Sequence, residues 1–108
     1  MNIRLSPTAL SGSVEAIASK SAAHRLLICA ALSRGETKIY CPTLSKDIEA
    51  TAACLRALGA GVEYTGGAFL VRPIERVTAN AALDCGESGS TLRFLLPLIC
   101  ALGGGAEI

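Results

Sequence analysis

The sequence predicts a two-layer α/β (α+β) domain, and three observations carry that prediction. First, a helix end, a glycine and a short strand recur three times, around Gly35, Gly59 and Gly103–Gly105. In each copy the glycine supplies a residue able to take the left-handed conformation that stops a helix. Second, Thr65-Gly66-Gly67 joins two short apolar-rich runs, which is a hairpin signal. Third, the chain has two Phe, two Tyr and no Trp. Its core must therefore come from Ala, Leu, Ile and Val, which suits small-residue helices lying on sheets.

The elements follow in order. Residues 2–5 and 13–17 read as strands. Residues 20–33 read as a helix with Ser19 as N-cap. Residues 37–40 read as a strand. Residues 46–58 read as a helix opened by Ser45, with Asp47 and Glu49 in the first turn, where the helix dipole favours acids. Residues 61–64 and 68–72 form the hairpin, and 82–85 a short strand. Residues 89–102 read as a helix kinked at Pro97, and 105–108 begin another strand. The spacing of the three copies is unequal, so the pattern is a reused unit and not a solenoid. Because Ile108 falls inside a strand signal, the 108 residues are expected to be a fragment of a longer protein.

A chain of 108 residues suits one domain. Charged residues make up 18% and hydrophobic ones 51%, so part of the apolar surface is expected to be covered by a partner or further chain, or to drive self-association. The formal net charge of +1 argues against bulk capture of nucleic acid, which needs a clustered basic face. Anion binding here must be local. The five cysteines show no metal-like or redox-like spacing and read as buried free thiols in a reducing cytosol. No run reaches the roughly 18 apolar residues of a membrane span. The N-terminus lacks a signal-peptide layout. The expectation is a cytoplasmic protein with no membrane partner, cofactor or metal.

Two constellations carry chemistry. In Ser19-Lys20-Ser21-Ala22-Ala23-His24-Arg25, Lys20 and Ser21 occupy the first helical turn, whose unpaired N–H groups and partial positive charge attract anions. Arg25 lies one turn on, on the face of Ser21. A point charge, a hydroxyl and a guanidinium fork can converge on a phosphate or carboxylate. Spacing alone leaves a second reading, a plain capped helix with two solvated cations. His24, the single histidine, reads as a packing or surface residue. In Cys85-Gly86-Glu87-Ser88-Gly89-Ser90-Thr91-Leu92-Arg93, a strand enters a Gly-rich turn and then a helix. Gly86 and Gly89 permit close backbone approach, and Ser88, Ser90 and Thr91 offer hydroxyls. Arg93 adds a cation one turn inside. This has the physics of a phosphate loop, without a Walker or dinucleotide fingerprint.

Together SKSAAHR, LSKDIEATAACLRALGAGVEY and CGESGSTLRFLLP resemble the amino-terminal signatures of the EPSP synthase (3-phosphoshikimate 1-carboxyvinyltransferase) family. Related UDP-N-acetylglucosamine enolpyruvyl transferases carry Lys-Asn without the matched Ser and Arg, so Ser21 and Arg25 favour the shikimate branch. Ile17-Ala18 depart from the Pro-Gly or Pro-Pro usual in the family, and Glu87 stands where many members have Asn.

The resemblance implies an inside-out α/β barrel fold built of βαβαββ units. Residues 20–108 would hold one unit and the start of the next, within the shikimate-binding domain. Residues 1–19 would partly belong to the opposite domain. It also implies transfer of an enolpyruvyl group from phosphoenolpyruvate to the 5-hydroxyl of shikimate 3-phosphate. Lys20, Ser21 and Arg25 would contact shikimate 3-phosphate, and Lys20 phosphoenolpyruvate as well, with a part in charge or proton handling. Gly89 would lie against phosphoenolpyruvate, with Ser90 nearby, Arg93 as a supporting cation and Asp47 as an acidic neighbour. The remaining cations and acid–base groups of such a site have no counterpart here, so the chain alone is expected to be inactive. A non-catalytic anion-binding or interaction domain is the competing class.

Overall fold

A computed structural model describes residues 1–108. Its elements run α1 (Lys20–Ala31), β1 (Thr37–Tyr40), α2 (Lys46–Leu58), β2 (Gly61–Thr65), β3 (Ala68–Arg72), β4 (Ala81–Ala82), α3 (Gly89–Leu102) and β5 (Ala106–Glu107). β1, β3 and β2 form an antiparallel sheet in that order, while β4 and β5 pair in parallel. The hairpin register sets Thr65 opposite Ala68. Its two-residue turn therefore needs positive φ at both positions, and Gly66 (58°) and Gly67 (76°) supply it without a Cβ penalty.

Alternation along the strands sorts the two sheet faces. Ile39, Val62, Phe69 and Val71 are buried, whereas Lys38, Tyr40, Glu63 and Arg72 remain exposed. Helices α1 and α2 cover the buried face with Leu27, Ala30, Ala31, Ile48, Ala52, Leu55 and Leu58. Small residues at Ala23, Ala30 and Ala52 let the helix backbones come close. α3 adds Leu95 and Ile99 against the same core. Each fully buried Leu, Ile or Phe contributes about 1.5–3 kcal/mol by leaving water. Tyr64 closes the sheet end by donating its hydroxyl to the Cys41 carbonyl at 2.9 Å.

The α-turn-β pattern is realised in two ways. Gly59 (φ 115°) and Gly103 (φ 68°) end α2 and α3 in the left-handed region, as read from sequence. At Gly59 a Cβ would also sit 2.5 Å from the Arg76 carbonyl oxygen. Gly35 does not play this part. α1 stops at Ala31 with Leu32 as C-cap, two residues sooner than its pattern indicated. The Ser33 hydroxyl lies 2.8 Å from the Ala30 carbonyl, competing for the groups that would extend the helix. The Ala31 carbonyl is instead taken by the Ile74 N–H at 2.8 Å.

Residues 2–5 and 13–17 form no strands, which corrects the expectation for them. Alternation at Ile3 and Leu5 marks a face to be covered, but a strand also needs a neighbour to take its backbone hydrogen bonds. No strand of this chain pairs with it. Residues 1–17 are exposed throughout, and the radius of gyration, 16.7 Å, exceeds the roughly 13 Å of a compact chain this long. The first tether is the Ala18 N–H, which donates to the Thr43 hydroxyl at 2.9 Å.

Two further expectations are adjusted, for β4 and the thiols, while the expected helix over 89–102 is found. β4 pairs only at Ala81–Ala82, earlier and shorter than 82–85, because its partner β5 is itself two residues long. α3 runs helical through Pro97, whose missing N–H leaves the Arg93 carbonyl without its helical partner. All five thiols are free, but only Cys41, Cys54 and Cys85 are buried. Cys29 and Cys100 lie on the outer faces of α1 and α3.

Candidate functional site

Each of the three helices begins with a serine cap. Ser19 Oγ accepts from Ala22 N–H at 3.4 Å, Ser45 Oγ from Ile48 N–H at 3.3 Å and Ser88 Oγ from Thr91 N–H at 3.2 Å. The caps satisfy one donor per helix. The earlier amides of each first turn, among them Lys20, Ser21, Gly89 and Ser90, have no acceptor within the chain.

The three N-termini meet at Asp47. Lys20 Nζ lies 2.6 Å from Asp47 Oδ2. From the other side, the Thr91 hydroxyl approaches the Asp47 carbonyl at 3.3 Å. The Lys20 ammonium at the start of α1, the Ser88 hydroxyl at the start of α3 and the first turn of α2 itself thus surround one carboxylate, in a chain whose net charge is only +1. The Lys20 hydrogen bond holds the Asp47 carboxyl below its ordinary value against a smaller burial effect, with the Lys20 and His24 charges and the Ser88 hydroxyl adding to the lowering. Both side chains of the pair are partly solvated, at 47% and 30% exposure, so the bridge itself contributes little to stability. An arriving anion can therefore draw Lys20 away at small cost.

Clefts flank this point. One of about 320 Å³ is lined by Lys46, Asp47, Ala50, Cys85 and the Gly86–Ser88 turn. Another of about 250 Å³ lies beside Lys20, Thr43 and Ser45. Nothing stands within 4 Å of the place a Cβ would occupy on Gly89, so the amide end of α3 is open. Gly86 takes φ 53°, and its N–H is held by Asp84 Oδ1 at 2.8 Å, which fixes the turn.

The sequence-derived residues are placed as follows. Lys20, Asp47 and Gly89 gather at the meeting point. Ser21 and Arg25 share a face of α1, with Arg25 Nη1 donating to the Ser21 carbonyl at 3.3 Å. The Arg25 guanidinium also lies over the Phe94 ring of α3 at 5.4 Å, which leaves its outer edge free. Ser90 is half-buried in the first turn of α3, and Arg93 is exposed one turn on. Lys20 thus turns toward α2, while Arg25 leans on α3. Of the thiols, Cys85 lines the cleft beside Asp47. Burial, then the neighbouring Cys85, pushes the Cys54 thiol up to about 12, so it stays protonated.

One group was missed in the sequence. His24 is fully buried, and its Nδ1 lies 2.7 Å from Thr51 Oγ1. Thr51 Oγ1 lies 2.8 Å from Thr91 Oγ1, which lies 2.7 Å from Ser88 Oγ. A usable signal existed: Thr51 sits between Ile48 and Leu55 on the apolar face of α2, where a polar side chain needs a partner. Burial pushes the His24 pKa below 6.5, Asp47 opposes that, and Lys20 adds to it. The unfolded chain therefore binds the proton more readily than the folded one. Stability from the neutral ring is complete above pH 6.5 and falls as pH drops through the lower folded value, by at most about 1.4 kcal/mol per pH unit. Urea unfolding across that window should show this slope in the wild type and lose it in His24→Gln; equal slopes would contradict it.

Comparison with known proteins shows the family of this chain. Residues 5–108 match the family EPSP synthase (3-phosphoshikimate 1-carboxyvinyltransferase). The 3-phosphoshikimate 1-carboxyvinyltransferase of Clostridium kluyveri is 40% identical over 102 residues, covering 94% of this chain and 24% of that protein. That of Clostridium perfringens is 42% identical over 96 residues, covering 87% and 23%. The solved EPSP synthase from Acinetobacter baumannii superposes with a TM-score of 0.63 at 22% identity, over 78% of this chain and 20% of that one, a likeness of fold. The chain spans about a quarter of the length of the curated relatives it matches. With nearly its whole length matched, this chain belongs to the EPSP synthase family.

Proposed function

We propose that this chain serves the transfer of the enolpyruvyl group from phosphoenolpyruvate to the 5-hydroxyl of shikimate 3-phosphate. The observation that supports this most is the meeting of three helix N-termini at Asp47, beside Lys20 and the open amide end at Gly89. Both substrates are anions, and holding them together requires fixed cations and amide donors that offset their repulsion. Ser21 and Arg25 form the edge suited to shikimate 3-phosphate. The free amides at Gly89 and Ser90, with Lys20, suit phosphoenolpyruvate, and Arg93 adds charge behind them.

In the proposed reaction the shikimate hydroxyl oxygen bonds to C2 of phosphoenolpyruvate as C3 takes a proton and the hydroxyl loses its own, giving a tetrahedral intermediate that expels phosphate as C3 gives a proton back and the double bond re-forms. Lys20 exchanges Asp47 for a substrate oxygen and offsets its charge. Asp47 then remains as the counter-charge that returns Lys20 to place. Residues 20–108 belong, in this reading, to the shikimate-binding domain, and residues 1–19 in part to the other domain. Titration of the 108-residue chain with shikimate 3-phosphate checks the assignment. Amide shifts confined to residues near 19–25 and 88–91 are expected. No shifts at millimolar ligand would favour an interaction domain with solvated cations.

A further inference from the structure

We propose that His24 is a positioning residue, a neutral Nδ1–H imidazole that anchors a one-way hydroxyl relay through Thr51 and Thr91 to Ser88 and so sets the α3 N-terminus against Asp47 and Lys20. This rests on the reading above only in naming what the relay positions.

The direction follows from proton bookkeeping. His24 Nε2 is buried without a partner. A buried lone pair left empty is tolerated more readily than a buried N–H left without an acceptor. The ring proton therefore belongs on Nδ1, where Thr51 Oγ1 accepts it at 2.7 Å. Thr51 has then one proton to give, and Thr91 Oγ1 at 2.8 Å receives it. Thr91 passes its own proton toward Ser88 Oγ at 2.7 Å or the Asp47 carbonyl at 3.3 Å. A carbonyl can only accept, so the second option also makes Thr91 a donor. Ser88 Oγ, accepting from both Thr91 N–H and the Thr91 hydroxyl, has its lone pairs filled. Its proton is left for the Asp47 side, and the Ser88 hydroxyl is among the groups that favour the ionised Asp47 carboxylate.

The opposite tautomer runs the relay backwards. Thr51 would donate to Nδ1 and Thr91 to Thr51, leaving Nε2–H stranded and Thr91 with no proton for either Ser88 Oγ or the Asp47 carbonyl. The groups facing His24 complete the frame. Phe94 lies 6.0 Å away, ring to ring, the charged groups acting on His24 are Asp47 and Lys20, and the Arg25 guanidinium lies over the Phe94 ring. The relay joins α1, α2 and α3, the three helices that supply the site. Simple packing would be served by an apolar side chain at any of these positions.

His24 is the single histidine, so its ring is read without assignment ambiguity in the ¹⁵N-labelled 108-residue chain. Long-range ¹H–¹⁵N correlation at neutral pH should show Nδ1 pyrrole-like and Nε2 pyridine-like; the reverse pattern overturns the proposal. Thr51→Val should move the ring nitrogens and the Gly89 amide, and weaken inorganic phosphate binding about 3–10-fold, the worth of one net hydrogen bond. Thr51→Ser should restore all three. Unmoved ring and Gly89 signals in Thr51→Val, or no rescue by Thr51→Ser, would also overturn it. Should Thr51→Val fail to fold, the wild-type tautomer and the Thr51→Ser spectrum still decide. Failure of the wild-type chain to bind phosphate counts against the proposed function, whereas the tautomer measurement stands apart from it.

Discussion

Lys20→Met is expected to lower kcat/KM of the proposed transferase by about 10²–10³, the usual loss when one fixed donor to a developing or bound anion is removed. Methionine keeps the length and apolar stem of the side chain and removes only the charge and its hydrogen bonds. The Lys20–Asp47 bridge is partly in solvent, so its loss should leave the urea midpoint nearly unchanged. Activity and stability therefore separate, which distinguishes a substrate contact from a structural ion pair. Lys20→Arg should recover part of the loss, since it restores charge but replaces a compact ammonium by a planar fork. Phosphate release from phosphoenolpyruvate and shikimate 3-phosphate by a complete transferase carrying this chain is the measurement, because the 108 residues alone are expected to be inactive. A Lys20→Met enzyme within threefold of wild type would remove Lys20 from the site.

Phe69→Ala carries the largest expected effect on the fold, about 3–5 kcal/mol, against a total stability of about 5–15 kcal/mol for a domain of this kind. Phe69 lies on β3, the central strand, and is 2% exposed. Its ring meets Tyr64 with centroids 4.7 Å apart, and Tyr64 in turn ties β2 to Cys41 after β1. With only two Phe and no Trp, the core has no other large side chain able to fill that space. Urea denaturation followed by circular dichroism should show the midpoint falling in proportion. A loss under 1 kcal/mol would mean that the sheet closes on its helices without this ring.

Local signals proved reliable where a single turn of chain contains both cause and effect. Ser19, Ser45 and Ser88 cap their helices because a short hydroxyl side chain can reach the amide three residues on. Gly59 and Gly103 stop α2 and α3 for want of a Cβ. Gly35 had the same sequence context but was pre-empted by Ser33 and by Ile74, a contact no local rule contains. Residues 2–5 and 13–17 show the opposite failure. Their alternation is real, yet strand pairing is a property of two segments, and neither of these pairs with a strand of this structure.

The site divides in the same way. The sequence by itself determined that helix N-termini bear Lys20, Ser21, Gly89 and Ser90, that Arg25 shares a face with Ser21, and that these types suit an anionic ligand. Those facts depend on helical period and backbone charge alone. Only the tertiary structure decided that the three N-termini meet at Asp47, that Arg25 leans on Phe94, and that His24, Thr51, Thr91 and Ser88 form one buried relay. Apart from Ser88–Thr91, such pairings lie 27 or more residues apart in the chain and are set by how helices seat on the sheet, which no single-segment pattern encodes.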